Sequence, residues 1–151
     1  FLNGNDGIDL YYSDNNNLSK NIISNNSDGV GFYNSSNNTF TSNTISNSRY
    51  SGVGLYTSNA NDITDNIILN NGSDGFAFYT SVNNKISGNT ISNGGSDGLP
   101  LYYSANNTFT GNTISNNRYD GIPLYYSDTN TFIDKFQHFL AYILDNWLQT
   151  K

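Results

Sequence analysis

The sequence contains no cysteine, no methionine and no glutamate. Without cysteine the chain forms neither a disulfide, nor a thiolate metal site, nor a cysteine nucleophile. Its 12 acidic residues are all aspartate, and with 6 lysines and arginines they give a formal net charge of −6. An acidic chain with few basic residues binds phosphate backbones poorly, so we expect no nucleic acid partner. No apolar run approaches the roughly 20 residues of a membrane span, so we expect no membrane insertion.

A repeat of nearly fixed length fills most of the chain. Its units are marked by glycines 22 or 23 residues apart, namely Gly7, Gly29, Gly52, Gly75, Gly98 and Gly121. Such a period is typical of stacked units that cannot bury their apolar side alone. Each unit holds three short stretches of alternating apolar and polar residues, bounded by Asn, Gly or Ser, which predicts three short strands.

Strands this short find partners only when each unit stacks in parallel on the unit before it. We therefore predict an all-β solenoid, a right-handed parallel β-helix of about six rungs over residues 1–133. Four columns of aliphatic or phenylalanine residues are predicted to point inward and form its core. The columns are Ile8, Val30, Val53, Phe76, Leu99 and Ile122; Leu10, Phe32, Leu55, Phe78, Leu101 and Leu124; Leu18, Phe40, Ile63, Ile86, Phe109 and Phe132; and Ile23, Ile45, Ile68, Ile91 and Ile114.

Asparagine recurs in three further columns at the boundaries of the predicted strands. They are Asn16, Asn38, Asn61, Asn84, Asn107 and Asn130; Asn21, Asn43, Asn66, Asn89 and Asn112; and Asn25, Asn47, Asn70, Asn93 and Asn116. Asparagine at a corner tolerates left-handed backbone, and its amide can bond the equivalent amide one rung away. We therefore predict asparagine ladders that hold the corners together.

An aspartate precedes most of the repeat glycines, and Ser51 replaces it in one unit. The column is Asp6, Asp28, Asp74, Asp97 and Asp120. Stacked carboxylates repel one another, which either Ca²⁺ or the backbone amides of the turn would relieve. The amides need no ion and suit the turn chemistry of Asp-Gly, so we predict no metal and no cofactor, with Ca²⁺ as the open alternative.

The repeat stops after Thr131, and the two ends of the chain differ. Apolar residues over 134–151 follow helical spacing, with Asp134 and Gln137 as a capping box, which predicts a C-terminal amphipathic helix that caps the last rung. Its apolar positions are Phe136, Phe139, Leu140, Ile143, Leu144, Trp147 and Leu148. The N-terminal end has no such device. We expect a longer solenoid before Phe1, or a neighbouring solenoid stacked on this end.

The most distinctive outward feature is tyrosine. Tyr11, Tyr33, Tyr56, Tyr79, Tyr102 and Tyr125 each follow an inward residue, so alternation points them to solvent. We call these six residues the tyrosine stripe. Beside it runs a column of mostly small or flat residues, Asp9, Gly31, Gly54, Ala77, Pro100 and Pro123, and Tyr12, Tyr103 and Tyr126 broaden it at both ends. Stacked rings stabilise one another, but a periodic aromatic surface also suits a polysaccharide, a surface glycan or another copy of the chain.

Other polar groups give weaker indications. Arg49-Tyr50 and Arg118-Tyr119 occupy the same turn three rungs apart and are interpreted as solvated turn charges. Thr39 and Thr41 resemble an ice-binding pattern, as do Thr108 and Thr110, but Asp62 and Lys85 interrupt that face. No two aspartates stand out as acid and nucleophile, so we predict no catalytic residue and no enzyme activity.

The pattern DGIxLYYS…NNTFTxNTISNN resembles the parallel β-helix repeats of the NosD-like family, which are also seen in carbohydrate-binding and sugar-hydrolase surface proteins. The resemblance covers residue 6 to about residue 133. It implies a β-helix at a surface or outside the cell, without the copper-related role of NosD, because this chain offers only His138 and no soft ligand. We expect a non-catalytic extracellular or cell-surface module, a scaffold that binds glycan or self-associates through the tyrosine stripe. A designed β-helix scaffold without a natural ligand is the alternative, and an ice-binding solenoid and a fragment of a polysaccharide-active enzyme are lesser alternatives.

Overall fold

The structure, a computed structural model, describes residues 5–133. These residues form 17 short strands. In chain order the strands are β1 (Ile8–Tyr11), β2 (Asn17–Ser19), β3 (Ile22–Ser24), β4 (Val30–Tyr33), β5 (Thr39–Thr41), β6 (Thr44–Ser46), β7 (Val53–Tyr56), β8 (Asp62–Thr64), β9 (Ile67–Leu69), β10 (Phe76–Tyr79), β11 (Lys85–Ser87), β12 (Thr90–Ser92), β13 (Leu101–Tyr102), β14 (Thr108–Thr110), β15 (Thr113–Ser115), β16 (Leu124–Tyr125) and β17 (Thr131–Ile133).

The strands pair in parallel from one rung to the next and form three sheets. Sheet A has the order β1-β4-β7-β10-β13-β16, sheet B the order β2-β5-β8-β11-β14-β17, and sheet C the order β3-β6-β9-β12-β15. Equivalent residues of successive units are register partners, as Leu10 and Phe32 show. The predicted parallel solenoid with three short strands per rung is confirmed. Strands β13 and β16 are shorter than their sheet A partners because Pro100 and Pro123 have no N–H to donate.

The core lies between the three sheets and follows the four predicted columns. From the second to the fifth rung their members are at most 1% exposed, apart from Ile114 of sheet C, which packs against the core and is partly buried. Phe32 and Phe78 make edge-to-face contacts with Phe40 and Phe109 across the interior. One predicted core position differs, because Leu124 is 45% exposed. It lies on the last strand of sheet A, where no described rung covers it.

Two of the three asparagine columns are ladders. In each, the backbone N–H of one asparagine donates to the Oδ1 atom of the asparagine one rung later, at 2.8–3.0 Å. Asn66 illustrates the completeness of the network: its Nδ2 group donates to Asn89 Oδ1 and to the carbonyl of Phe40. Buried amides are stabilising only when satisfied in this way.

The third predicted column has a different role. Asn25, Asn47, Asn70, Asn93 and Asn116 have φ values of 55–60°, and they are exposed. Only Asn93 and Asn70 bond each other through their side chains among the described members of this column. The ladder contacts at this corner belong to the next position, where Asn71 Oδ1 accepts from the Ser48 N–H at 3.0 Å. In this column the prediction of left-handed backbone is confirmed and the prediction of a ladder is wrong. In the two ladder columns the left-handed residue is instead the one before each asparagine, as at Asn15 and Lys20.

A serine ladder that the sequence analysis missed occupies the corner after sheet A. The N–H of each serine donates to the hydroxyl of the serine one rung later, at 2.9–3.0 Å. Its members are Ser13, Ser35, Ser58, Ser81, Ser104 and Ser127. The residue before each of them has positive φ, as at Tyr12, Asn34 and Thr57. Every corner thus consists of a left-handed residue followed by an inward-pointing polar side chain or glycine.

The predicted C-terminal helix over 134–151 lies outside the described residues, as do Phe1–Asn3. Residues 5–133 contain no helix that is long and apolar enough to cross a membrane.

Candidate functional site

The tyrosine stripe runs along the outer surface of sheet A. Neighbouring rings are stacked, with centroids 4.6–5.1 Å apart and planes 2–8° from parallel. Register pairing in sheet A sets this spacing, since the side chains of register partners point the same way. All six predicted residues are therefore brought together in one continuous row.

The rings cover the neighbouring column of small residues. A Cβ atom built on Gly31 would collide with the ring of Tyr33, and one built on Gly54 would lie 2.6 Å from Cε2 of Tyr56. Each tyrosine therefore leans back along its own strand, over the residue two positions earlier. The open shelf expected beside the stripe is occupied by the rings themselves, and the surface is a corrugated band.

This stacking decides which parts of the rings a ligand can reach. The distance of about 4.8 Å between the ring centroids is larger than the thickness of an aromatic ring, so the parallel rings are stacked with an offset. The inner rings, Tyr33 to Tyr102, are partly buried, whereas Tyr11 and Tyr125 at the two ends are 58% and 42% exposed. The inner rings therefore offer less of their surface to a ligand than the two end rings do.

The additional tyrosines lie at the corner after sheet A rather than on its face. Tyr12, Tyr103 and Tyr126 adopt φ values of 48–50°, and they are 61–81% exposed. Tyr103 and Tyr126 stack on each other with centroids 5.1 Å apart. They form a second, shorter row beside Tyr102 and Tyr125, which widens the aromatic surface at that end as predicted.

The environment of the four inner rings favours the protonated hydroxyl group. Partial burial is the main cause that raises the pKa of Tyr33, Tyr56, Tyr79 and Tyr102 above the ordinary value of 10.0. Neighbouring tyrosines and the aspartates of the adjoining turn act in the same direction. The row therefore offers neutral phenols that donate as well as accept hydrogen bonds.

A small acidic group adjoins the first rung of the stripe. The carboxyl of Asp9 leans over Gly31, and partial burial, followed by the nearby charge of Asp6, raises the pKa of Asp9 to about 6. Burial also raises the pKa of Asp28. Asp9 is the charged exception in a column otherwise made of Gly, Ala and Pro, so this end of the stripe has a titratable carboxyl beside its rings.

The aspartate column uses the backbone to offset its charge. Asp28 N–H donates to Asp6 Oδ1 at 2.9 Å, and Ser51 N–H donates to Asp28 Oδ1 at 2.8 Å. The bonds to Asp74 and Asp97 repeat the pattern two rungs on. These are the contacts with backbone amides that the sequence predicts for this column. Within residues 5–133, no group of three or more His, Cys, Asp or Glu side chains is placed to hold a metal ion.

The outer faces of sheets B and C are less regular. On sheet B, Lys85 Nζ and Asp62 Oδ2 form an ion pair at 3.4 Å, which interrupts the threonines as expected. On sheet C, Ile22 is 83% exposed and Ile67 is 43% exposed, in a column otherwise made of threonine. Neither face matches the continuity of the stripe on sheet A.

Comparison with known proteins agrees with this architecture. A family model described as a right handed beta helix region matches residues 1–136. The description also supplies the hand of the coil, which confirms the predicted right-handed parallel β-helix. The NosD-like assignment is finer than this match and stays a prediction. No curated protein matches the sequence.

Several solved structures share the fold. A mutant of the periplasmic alginate epimerase AlgG is 26% identical with a TM-score of 0.74, and 78% of this chain is covered. The Dettilon tailspike protein is 18% identical with a TM-score of 0.66 over 81% of this chain. The A-module of the Azotobacter vinelandii mannuronan C-5 epimerase AlgE6 is 15% identical with a TM-score of 0.51 over 87%. The last two show the fold alone.

The chain is shorter than these proteins. It spans 29% of the AlgG mutant, 32% of the tailspike protein and 55% of the AlgE6 module.

Proposed function

The chain belongs to the right-handed β-helix family, and we propose that it is a non-catalytic module that binds polysaccharide along the tyrosine stripe. The observation that carries this proposal is the unbroken row of six stacked tyrosines on sheet A. Aromatic groups with a polar end are well suited to a wet surface that must also bury apolar ligand area. The fold shared with an alginate epimerase adds support, since alginate is a polysaccharide.

The geometry favours an extended ligand that follows the axis of the solenoid. The tyrosine hydroxyls repeat at the rung spacing of about 4.8 Å, so a chain lying along the stripe meets the same donor and acceptor at every rung. The exposed parts of the rings supply apolar contact beside these hydrogen bonds. A long, linear glycan satisfies such a repeated surface better than a compact ligand.

Binding rather than catalysis is proposed because the stripe lacks an arranged pair of reactive groups. The pKa values of its four inner phenols lie above the ordinary value, so these groups stay protonated and are poor bases near neutral pH. Asp9 is the one carboxyl in the adjoining column. A place at the cell surface or outside the cell follows from the proposed ligand.

Glycan-array binding and polysaccharide pull-down test the proposal. The variant Tyr56→Ala with Tyr79→Ala removes the centre of the stripe and should reduce retention on the bound polysaccharide at least tenfold. The control Ile67→Ala removes an exposed apolar side chain from sheet C, outside both the stripe and the corner that joins sheet C to sheet A, and should leave retention unchanged. Circular dichroism of each variant checks that the solenoid is intact. Equal retention of the folded stripe variant and the control would contradict the proposal.

A purely structural role is the second candidate, because the stacked rings stabilise one another and cover the glycines beneath them. In that case the centre of the stripe contributes to the free energy of unfolding but no glycan binds to the wild-type protein. The array result for the wild type separates the two roles, and the same result would fit a designed scaffold without a natural ligand.

A further inference from the structure

A second recognition surface lies at the corner that joins sheet C to sheet A. Arg49 and Arg118 are exposed there, and the guanidinium of each lies over the ring of the following tyrosine, 5.3 Å from its centroid. We call each Arg–Tyr pair a post. Tyr50 and Tyr119 are 48% and 63% exposed, so both posts stand out from the turn.

The two posts occupy equivalent positions three rungs apart. The turn hydrogen bonds place Arg49, Gly72, Gly95 and Arg118 in one column, since each N–H in the series bonds the previous rung in the same way. Three strand spacings correspond to about 14 Å along the axis. The posts are thus two copies of one chemical group at a fixed separation.

The two rungs between the posts have no protruding side chains at the arginine position. A Cβ atom built on Gly72 would collide with the carbonyl oxygen of Arg49, and one built on Gly95 would collide with that of Gly72. Glycine is required here because the backbone of one rung presses on the backbone of the previous rung. The next residues are Ser73 and Ser96, where the posts have tyrosine. An extended ligand can pass between the posts without obstruction.

Among the residues that the structure describes, neither guanidinium group has an acidic partner. Within residues 5–133 the ion pair between Lys85 and Asp62 involves neither arginine. The nearby carboxylates of Asp74 and Asp97 instead accept backbone N–H groups. At the first post the aspartate column is interrupted by Ser51, so the local negative charge is lower where Arg49 stands.

We propose that the two posts bind an extended anionic saccharide, each through one carboxylate or sulfate group. A guanidinium fixed over an aromatic ring keeps its edge free for two parallel hydrogen bonds to an oxyanion. A chain that reaches both posts gains from the second contact through effective concentration. The Arg49 post contributes more, because Ser51 stands where the Arg118 post has Asp120.

Calorimetric titration of the wild-type protein with a monomeric uronate and with a long oligouronate tests this. The oligouronate should bind at least about tenfold more tightly than the monomer, because it joins two sites. Arg49→Ala should abolish the tighter binding of the oligouronate relative to the monomer. For the monomer it should at most reduce the number of binding sites from two to one. Lys20→Ala removes an exposed cation from another corner and serves as the control.

Further ligands and variants separate the explanations. A sulfated chain of equal length whose binding also depends on Arg49 and Arg118 would support the proposal that the posts bind anionic groups. Whichever of the two chains binds more tightly shows whether the posts prefer carboxylate or sulfate. A neutral chain that binds as tightly as the oligouronate and loses the same affinity in Arg49→Ala would overturn the proposal. Equal losses of oligouronate affinity in Arg49→Ala and Lys20→Ala would overturn it as well. If Arg49→Lys kept the full affinity for the oligouronate, binding through a stacked guanidinium with two parallel hydrogen bonds would be ruled out. Loss of neutral glycan binding in the variant Tyr56→Ala with Tyr79→Ala tests the proposed function of the stripe and does not test the posts.

Discussion

The ring of Tyr56 lies over the Cα atom of Gly54, two residues earlier on the same strand, and a Cβ atom built there would be 2.6 Å from the ring. Gly52, two residues earlier again, is enclosed on the other side of the chain. Its built Cβ would lie 2.5 Å from the Ile68 Cγ2 atom and 2.6 Å from the Gly75 carbonyl oxygen. The two glycines therefore have different surroundings: a surface ring lies over Gly54, whereas core and backbone atoms enclose Gly52.

Because of this difference, we expect two alanine substitutions to change the free energy of unfolding by very different amounts. Gly54→Ala should change the free energy of unfolding by less than about 1 kcal/mol, since a surface ring can move and the backbone loses entropy in the unfolded state. The equivalent rung already has alanine at Ala77 beside Tyr79. Gly52→Ala should cost about 3 kcal/mol, because core and backbone atoms must shift. Urea denaturation measures both, and equal losses would contradict the account.

The asparagine ladder predicts a large effect at a buried amide. Asn66 accepts the N–H and Nδ2 groups of Asn43 and donates to Asn89 and to the carbonyl of Phe40. Asn66→Ala leaves several buried groups unpaired and should cost about 3 kcal/mol or more. The control Asn70→Gly alters an exposed, left-handed asparagine and should cost less than about 1 kcal/mol. Thermal and urea unfolding of the two variants provide the comparison.

The corner after sheet A offers a route to higher stability. Thr57 and Thr80 have φ values of 52° and 50°, which a β-branched residue tolerates poorly. Asn34 occupies the same corner one rung before Thr57, with φ of 49°. Thr57→Asn should therefore raise the free energy of unfolding by about 1 kcal/mol, and adding Thr80→Asn should raise it further. In contrast, Thr44→Asn alters a strand residue and should not stabilise the protein.

The raised pKa of Asp9 predicts a pH-dependent effect. Because the folded-state pKa is about 6 and the ordinary value is 3.8, the fold favours the protonated carboxyl. The stabilisation is fully present below pH 3.8 and is lost as the pH rises through 6. Asp9→Asn should therefore increase stability relative to the wild type at pH 7, and the gain should disappear below pH 3.8. Stability curves across this range test the sign, with the exposed Asp128→Asn as the control.

Much of the solenoid could be predicted because equivalent positions in successive units have side chains of the same chemical type. Inward columns such as Ile45, Ile68 and Ile91 are apolar in every unit, and alternation alone assigns their direction. The serine ladder was missed because Ser58 looks like any other turn serine in a chain rich in serine. Its signal is the constant spacing from Tyr56, which could have been found by aligning the units column by column.

The surfaces were harder to predict than the core. Alternation correctly places Tyr33 and Tyr56 outside, but it gives no information on where a flexible ring leans. That depends on the absence of a side chain at Gly31 and Gly54, which allows the rings to cover the strand. The Arg–Tyr posts likewise looked like ordinary turn charges, because the sequence does not show that Arg49 has no carboxylate partner within residues 5–133.

The ladders also give the solenoid a direction. The Oδ1 atoms of Asn38, Asn61 and Asn84 all face the preceding rung, and the N–H groups that they accept all point toward the following rung. The side-chain carbonyl dipoles therefore add along the axis rather than cancel. Any cut across the ladders exposes oxygen atoms on one side and N–H groups on the other. Two such surfaces can join in only one orientation, so the rod is polar throughout its length.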